Sequence, residues 1–277
     1  MCISPIFLRN HINTEDGVKP SSGRYVPCGK CPECLKKKQR DWFVRFWLED
    51  RANNKKGLFT YFLTLTYDDE HLVKSRHAAL LDWQAFLKTI KRKVSDNVRF
   101  YVVSENGSRN GRLHFHALLF GLPPFDIMYF NKQISKFWHR GFTFVKMCNG
   151  KDFNYVCKYV TKDTDPYRRG DSFKTICTCS KRPPIGEIGC NEELVKYLNN
   201  CSSNFLHING YSYVLPRYLD TRFVKQSVRS VRSYNSPVVE LLSEVQKQDV
   251  IDCYEKKCRE ASMKKKKRIA NYDLSNR

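Results

Sequence analysis

The stretch RLHFHALLF, residues 112–120, has a composition that predicts a strand whose apolar end lies in the middle of a sheet. Because side chains alternate along a strand, His114 and His116 point to the same face. Two imidazoles at this spacing can bind one divalent cation. A His-x-His triplet also arises by chance, and buried histidines are often only hydrogen-bonded, so the triplet alone leaves both interpretations open.

Strand and helix signals alternate on either side of this strand. Further strands are predicted over residues 58–67, 98–104 and 142–147. Predicted helices begin at Asp82, run through Ile134 to a stop at Gly141, and begin again at Asp152. The order βαββαβα predicts an α+β fold, in which a central antiparallel sheet carries helices on one face in the manner of an RRM or ferredoxin-like domain.

The helix predicted from Asp152 carries two tyrosines. Tyr155 and Tyr159 are four residues apart and therefore lie on the same helix face, with Lys158 beside the second. Amphipathic helices also place aromatic residues at this spacing for packing alone. Packing therefore explains the pair as well as a catalytic role does.

Twelve cysteines occur, and three of them form a tight C-x2-C-x2-C cluster at Cys28, Cys31 and Cys34. Thiolates at this spacing can bind one soft metal ion, most often zinc. A four-cysteine site needs one more ligand, for which Cys2 is the best candidate and Cys177 or Cys179 are weaker ones. The cluster is also compatible with reduced thiols that only pack against their neighbours.

The chain has 277 residues, with 49 Lys and Arg against 28 Asp and Glu, and its net charge is +21. Such a charge predicts a polyanionic partner, above all nucleic acid, and binding that weakens steeply with salt. No apolar run reaches the roughly 18 residues of a membrane span, and residues 1–10 do not resemble a secretion signal. The sequence contains no G-x-x-x-x-G-K-[ST] loop, which argues against an ATPase.

The order of these features resembles the HUH endonucleases, and within them the two-tyrosine rolling-circle replication initiators. A strand that includes residues 64–67 precedes the His-Phe-His strand, and a helix with Tyr-x-x-x-Tyr and an internal Lys follows it. The chain is similar above all to the replication initiators of gokushovirus-type microviruses, which are small single-stranded DNA phages. The segments that carry this similarity are residues 1–2, 27–31, 64–67, 114–121, 138–141 and 155–161.

This resemblance implies a metal-binding role for three residues. In HUH enzymes a histidine pair and one further polar residue hold a divalent ion, Mg2+ or Mn2+, against the scissile phosphate. The corresponding residues here are His114, His116 and Glu105. The segment 105–107, Glu-Asn-Gly, matches a Glu-x-Gly segment of similar initiators, and Asp68 is the alternative acidic ligand.

The tyrosine hydroxyls are the nucleophiles that the resemblance implies. Attack by Tyr155 or Tyr159 gives a 5′-phosphotyrosine and a free 3′-OH, while Lys158 favours phenolate or neutralises phosphate charge. Two tyrosines permit a relay, in which one begins the cycle and the other cuts the regenerated origin. Either order fits the sequence.

The implied substrate is a single-stranded DNA origin of replication, the implied partners are a host helicase and polymerase, and the implied location is the cytoplasm of the bacterial host. The chain divides into a Cys-rich segment and helix over 1–56, an HUH nuclease core over 57–165, and a basic C-terminal extension over 166–277. That extension has predicted helices at 194–198 and from Ser236, and a basic run at 264–268. The alternatives are a plasmid initiator or mobilisation relaxase with the same chemistry, and a non-catalytic RRM-like nucleic-acid binder with a zinc knuckle.

Overall fold

The computed structural model describes residues 2–14, 17–73, 75–107, 112–159, 175–201 and 204–234. The chain divides into two compact units: the described residues up to 36 belong to the first, and those from 37 onward belong to the second. The sheet that carries the histidine pair lies wholly in the second unit. The three-part division expected from the sequence stays a prediction.

The first unit contains a two-stranded antiparallel sheet. Strand β1 (Ile6–Thr14) pairs with β2 (Gly17–Val26), and helix α1 (Pro32–Asn54) begins in this unit after a short loop. This hairpin was not predicted, because proline and glycine are depleted in strands and β2 contains Pro20 and Gly23. The cysteine cluster flanks the hairpin, since Cys2 precedes β1 and the other three lie between the end of β2 and the first turn of α1.

A five-stranded sheet forms the centre of the second unit. Its strands are β3 (Phe59–Tyr67), β4 (Arg99–Asn106), β5 (Leu113–Leu122), β6 (Gly141–Met147) and β7 (Cys177–Cys179). Their order in space is β6-β3-β5-β4-β7, and every neighbouring pair is antiparallel. Helix α2 (Arg76–Lys93) follows β3 and α3 (Ile127–Trp138) follows β5, which completes a βαββαβ unit. The predicted α+β fold with a central antiparallel sheet of the HUH or RRM type is confirmed.

Apolar side chains cover both faces of this sheet, so the prediction of helices on one face was incomplete. On one face, α2 and α3 contribute Trp83 and Trp138 to a buried core. On the other face, α1 and α4 (Gly150–Tyr159) contribute Phe46 and Phe153, whose ring centroids are 6.2 Å apart. Successive residues of β5 are buried on opposite faces, which explains why its second half is apolar throughout.

Helix α2 begins earlier than predicted. Ser75 is its N-cap and accepts a hydrogen bond from the Ala78 N–H at 3.1 Å, so Asp82 lies inside the helix and does not cap it. The Asp82 carboxylate instead accepts a hydrogen bond from the Tyr67 hydroxyl at 2.9 Å and pairs with Arg140 at 2.9 Å. These contacts tie α2 to the end of β3 and to the loop before β6.

Helix α3 also ends differently from the prediction. It stops at Trp138, and His139 adopts the left-handed conformation, with φ 37°, that caps the helix. The predicted stop residue, Gly141, begins β6. A Cβ at Gly141 would lie 2.3 Å from the carbonyl oxygen of Thr66, so glycine is needed for β6 to approach β3.

The second unit continues beyond the sheet in smaller elements, which are α5 (Glu192–Asn200), β8 (Phe205–Ile208), β9 (Tyr211–Val214), α6 (Arg217–Phe223) and α7 (Gln226–Tyr234). The helix predicted over 194–198 lies within α5. The helix predicted from Ser236 and the basic run 264–268 lie outside the described residues. Within the described part of the chain, no helix has both the length and the apolar character needed to cross a membrane.

Candidate active site

His114 and His116 project from β5 towards α4. In β3, Thr66 is the register partner of His114 and Thr64 is that of His116. The threonine hydroxyl lies 2.9 Å from Nδ1 in the Thr66–His114 pair and 3.2 Å from Nδ1 in the Thr64–His116 pair. When Nδ1 donates to the hydroxyl, the lone pair of each ring is on Nε2, where it can bind a metal ion.

Glu105 joins the histidine pair from the neighbouring strand β4. It is the register partner of His114, and its Oε2 lies 3.5 Å from Nε2 of His116. Gly107 follows directly after β4, where a Cβ would lie 2.5 Å from Nε2 of His114. A glycine at this position therefore gives the His114 ring its room, which is a physical reason for the Glu-x-Gly spacing.

Helix α4 brings both tyrosines against His116. A capping box closes its first turn: the Asn149 side chain accepts from the Asp152 N–H at 3.4 Å, and the Asp152 carboxylate accepts from the Asn149 N–H at 2.9 Å. The Tyr159 ring stacks on His116 with centroids 4.7 Å apart, and the Tyr155 ring meets His116 edge-on at 5.6 Å. The Tyr159 hydroxyl donates a 2.7 Å hydrogen bond to the Tyr155 hydroxyl.

Burial governs the protonation of two groups in this site. Burial lowers the pKa of His114, and the neighbouring His116 lowers it further, which favours the neutral form that binds metal ions. Burial also raises the pKa of Tyr159 far above its ordinary value, and a hydrogen bond with Tyr155 and the charge of Glu105 raise it further. Tyr159 is therefore protonated at neutral pH and available as a hydrogen-bond donor.

The structure thus brings Glu105 and the two histidines together with the two tyrosines, but it does not bring them to metal-binding distances. Of the described residues, only the four N-terminal cysteines place three or more ligand atoms all within 4.8 Å of one another. Asp68 is engaged elsewhere, since it accepts hydrogen bonds from the His71 N–H at 2.9 Å and His71 Nδ1 at 2.7 Å. Lys158 has an exposed side chain on α4. The catalytic and metal-binding roles of all these residues stay predictions.

No role at the site was predicted for Thr64, Thr66 or Gly107. The two threonines are two residues apart in a strand, as the histidines are, and that matching spacing is the signal that could have found them. The signal cannot be interpreted without knowing that β3 pairs with β5 in this register. For Gly107, the signal was the Glu-x-Gly segment, but its steric meaning depends on the position of His114.

The four cysteines form a second cluster of candidate ligands, in the first unit. Their Sγ atoms lie 4.0 Å apart for Cys28 and Cys34 and 3.8 Å apart for Cys2 and Cys31. Cys2 therefore completes the group as predicted, and the cluster could hold a metal ion such as zinc. The weaker candidates for a fourth ligand are the two cysteines at the ends of β7, Cys177 and Cys179.

Three curated phage proteins are similar to this chain. Replication-associated protein ORF4 of Chlamydia phage 1 is 28% identical over 216 residues, which cover 70% of this chain and 52% of the relative. Replication-associated protein ORF2 of Spiroplasma virus 4 is 30% identical over 156 residues, covering 50% of this chain and 48% of the relative. Replication-associated protein VP4 of Bdellovibrio phage phiMH2K is 26% identical over 234 residues, covering 76% and 71%. The chain thus spans about half of the length of the first two relatives.

A family model matches the part of the chain that contains the candidate site. The model describes the replication-associated protein ORF2, and it matches residues 60–164, from the second residue of β3 to beyond the end of α4. No solved structure matches the chain. The resemblance to phage replication initiators is confirmed, and residues 60–164 belong to the replication-associated protein ORF2 family.

Proposed function

We propose that this chain nicks and rejoins single-stranded DNA at a phage origin, and that it starts rolling-circle replication through a 5′-phosphotyrosine intermediate. The observation that carries the proposal is the packing of Tyr155 and Tyr159 against His116, next to Glu105 and His114. Paired nucleophiles beside a histidine–carboxylate group suit covalent phosphoryl transfer assisted by a metal ion. The family match includes all five residues and supports the same activity.

The residues of this site fit a divalent ion. His114 and His116 would bind it through Nε2, because both Nδ1 atoms face threonine hydroxyls, and Glu105 would add a carboxylate oxygen. Imidazole ligands favour a transition metal such as Mn2+ over Mg2+. Since the three ligand atoms do not all lie within 4.8 Å of one another, binding requires a side-chain adjustment. When bound, the ion supplies Lewis-acid activation of the scissile phosphate.

The tyrosines supply the nucleophile. Attack of a phenol oxygen on phosphorus forms the tyrosine–phosphate bond and breaks the bond from phosphorus to the 3′-oxygen. The phenol loses its proton to solvent, and the departing 3′-oxygen takes up a proton and becomes a free 3′-OH. The covalent bond keeps the energy of the phosphodiester, so the reverse reaction rejoins the strand without a nucleotide cofactor.

Two hydroxyls joined by a 2.7 Å hydrogen bond support a relay at one site. When one tyrosine carries the DNA, the other lies close enough to attack the regenerated origin after one round. The exposed Lys158, one residue before Tyr159, would lower the negative charge of the incoming phosphate. We propose that a host helicase unwinds the duplex and a host polymerase extends the 3′-OH, in the cytoplasm of the bacterial host.

Cleavage of an end-labelled single-stranded oligonucleotide tests this function. The oligonucleotide should carry the origin of the genome that encodes this chain, and the reaction should contain Mg2+ or Mn2+. We expect one cut site, with a free 3′-OH on one product and protein bound to the other. His114→Ala should abolish the cut, whereas His77→Ala, an exposed histidine on α2, should leave it unchanged. If no strand of that genome is cut under these conditions, the non-catalytic nucleic-acid binder is the better account.

We also propose that the cysteine cluster binds one structural zinc ion. Tetrahedral zinc with sulfur ligands at about 2.3 Å places those sulfurs about 3.8 Å apart, and the observed separations are 3.8 and 4.0 Å. Burial raises the pKa of the Cys28 thiol, but N–H groups of Lys30 and Cys31 that donate to it lower the pKa more, to about 7. At neutral pH this thiol is therefore partly ionised and ready to bind the ion.

Metal analysis of the purified chain tests the zinc site. We expect about one zinc per chain, and a zinc content that falls when the pH drops below 7, because protons compete for the thiolates. Cys31→Ser should lose the zinc, and Cys201→Ser, a cysteine at the end of α5, should keep it. A wild-type zinc content well below one per chain would contradict the proposal.

A further inference from the structure

Strand β6 presents two exposed phenylalanines on the face of the sheet that carries the candidate active site. Phe142 is the register partner of Thr66, and Phe144 is that of Thr64. Directly opposed residues on neighbouring strands share a face, and these threonines face the two histidines. Two rows of side chains therefore run across the sheet: Phe142, Thr66, His114 and Glu105 form the first, and Phe144, Thr64 and His116 form the second.

The exposure of these rings is unusual for side chains of this size. Phe142 is 64% exposed and Phe144 is 53% exposed, whereas Val145, on the opposite face, is buried in the core. Among the described strands, β6 is an edge of the sheet. Large apolar side chains grouped on an open surface generally mark a binding site.

The surroundings of the two rings favour an anionic partner with flat apolar parts. Lys146 is the next residue of β6 on the same face, and its Nζ lies 5.5 Å from the centre of the Phe62 ring. The chain as a whole has a net charge of +21. Single-stranded DNA combines a charged backbone with bases that stack on aromatic side chains.

We infer that Phe142 and Phe144 form a stacking platform for bases of the single-stranded DNA next to the scissile phosphate, an inference that rests on the proposed function. A strand rises about 3.4 Å per residue, so the two side chains start roughly 7 Å apart, which leaves room for one base on each ring. The platform continues the rows that end at the histidines, and it therefore orients the DNA towards the tyrosines. Stacking of this kind tolerates any base sequence.

Binding of a fluorescein-labelled dT20 oligonucleotide to the full chain tests the platform, by fluorescence anisotropy at low salt without added divalent ions. We expect the Phe142→Ala/Phe144→Ala variant to bind at least roughly tenfold more weakly than wild type. The Phe142→Trp/Phe144→Trp variant should bind as wild type does, and the corresponding Leu pair should resemble the Ala pair, because leucine is apolar but cannot stack. Met128→Ala, a change at an 84% exposed residue of α3, is the control for loss of an exposed apolar side chain.

Two results would overturn the inference. One is dT20 affinity that does not change in the Ala pair. The other is a Leu pair that binds as wild type does, since apolar contact without stacking would then suffice. If the Ala pair instead converts a dimer into a monomer with unchanged dT20 affinity, the edge of β6 contacts a second copy of the chain. Because this assay measures binding, the Tyr155→Phe/Tyr159→Phe variant should still bind dT20, and a failure of cleavage leaves the result interpretable.

Discussion

Gly107 has no room for a side chain, because a Cβ there would lie 2.5 Å from Nε2 of His114. We expect Gly107→Ala to displace the His114 ring and to slow covalent adduct formation by roughly tenfold or more, as loss of ligand orientation generally does. Gly150→Ala is the matched control, since a methyl group at Gly150 meets open space. The rates of adduct formation and the Tm of both variants check this. A Gly107→Ala variant as fast as wild type would show that His114 needs no such space.

The lowered pKa of His114 has a consequence for stability. Its pKa in the folded chain lies below the ordinary value near 6.5, so the unfolded chain binds the proton more readily. The contribution of neutral His114 to stability is therefore fully present above about pH 6.5 and is lost as the pH falls through the folded pKa. We expect the free energy of unfolding to fall more steeply between pH 7.5 and 5.5 for wild type than for His114→Gln, in urea titrations without added divalent ions. Equal slopes for the two proteins would contradict this account of His114.

At the scale of elements, the site depends on the start of α4, because that helix carries both tyrosines. Asn149→Ala removes one half of the capping box, and we expect it to cost about 1 kcal/mol of unfolding free energy. Asn154→Ala, on an exposed face of the same helix, should cost less. Urea unfolding of both variants measures the difference. If the two substitutions cost the same, the capping box does not determine the stability of α4.

Local pattern was sufficient for the central elements and insufficient for their limits. The alternation in β5 and the helical spacing of Tyr155 and Tyr159 are properties of short segments, and both are found where they were expected. The start of α2 was misplaced because Asp82 is a good cap in isolation, while its contacts with Tyr67 and Arg140 depend on the tertiary fold. The hairpin of β1 and β2 was missed because its composition is unusual for strands. The threonine–histidine pairs could not be predicted because strand register is not encoded locally.

At the scale of the whole molecule, the net charge of +21 explains attraction to DNA but not what is done to it. The chemistry comes from one small region, in which strands β4 and β5 meet the end of α4. Binding and cleavage are therefore separable in this account. Salt should weaken the first steeply, whereas substitutions of Tyr155 and Tyr159 should remove only the second.

The most direct test of the central claim is the covalent adduct itself. The chain should be incubated with the single-stranded origin oligonucleotide and Mg2+ or Mn2+, denatured, and analysed for DNA bound to protein, with the attachment site identified by mass spectrometry. The account predicts an adduct at Tyr155 or Tyr159 that resists denaturant and is absent from the Tyr155→Phe/Tyr159→Phe variant. Nicking by that double variant, or attachment of the DNA to any other residue, would contradict it.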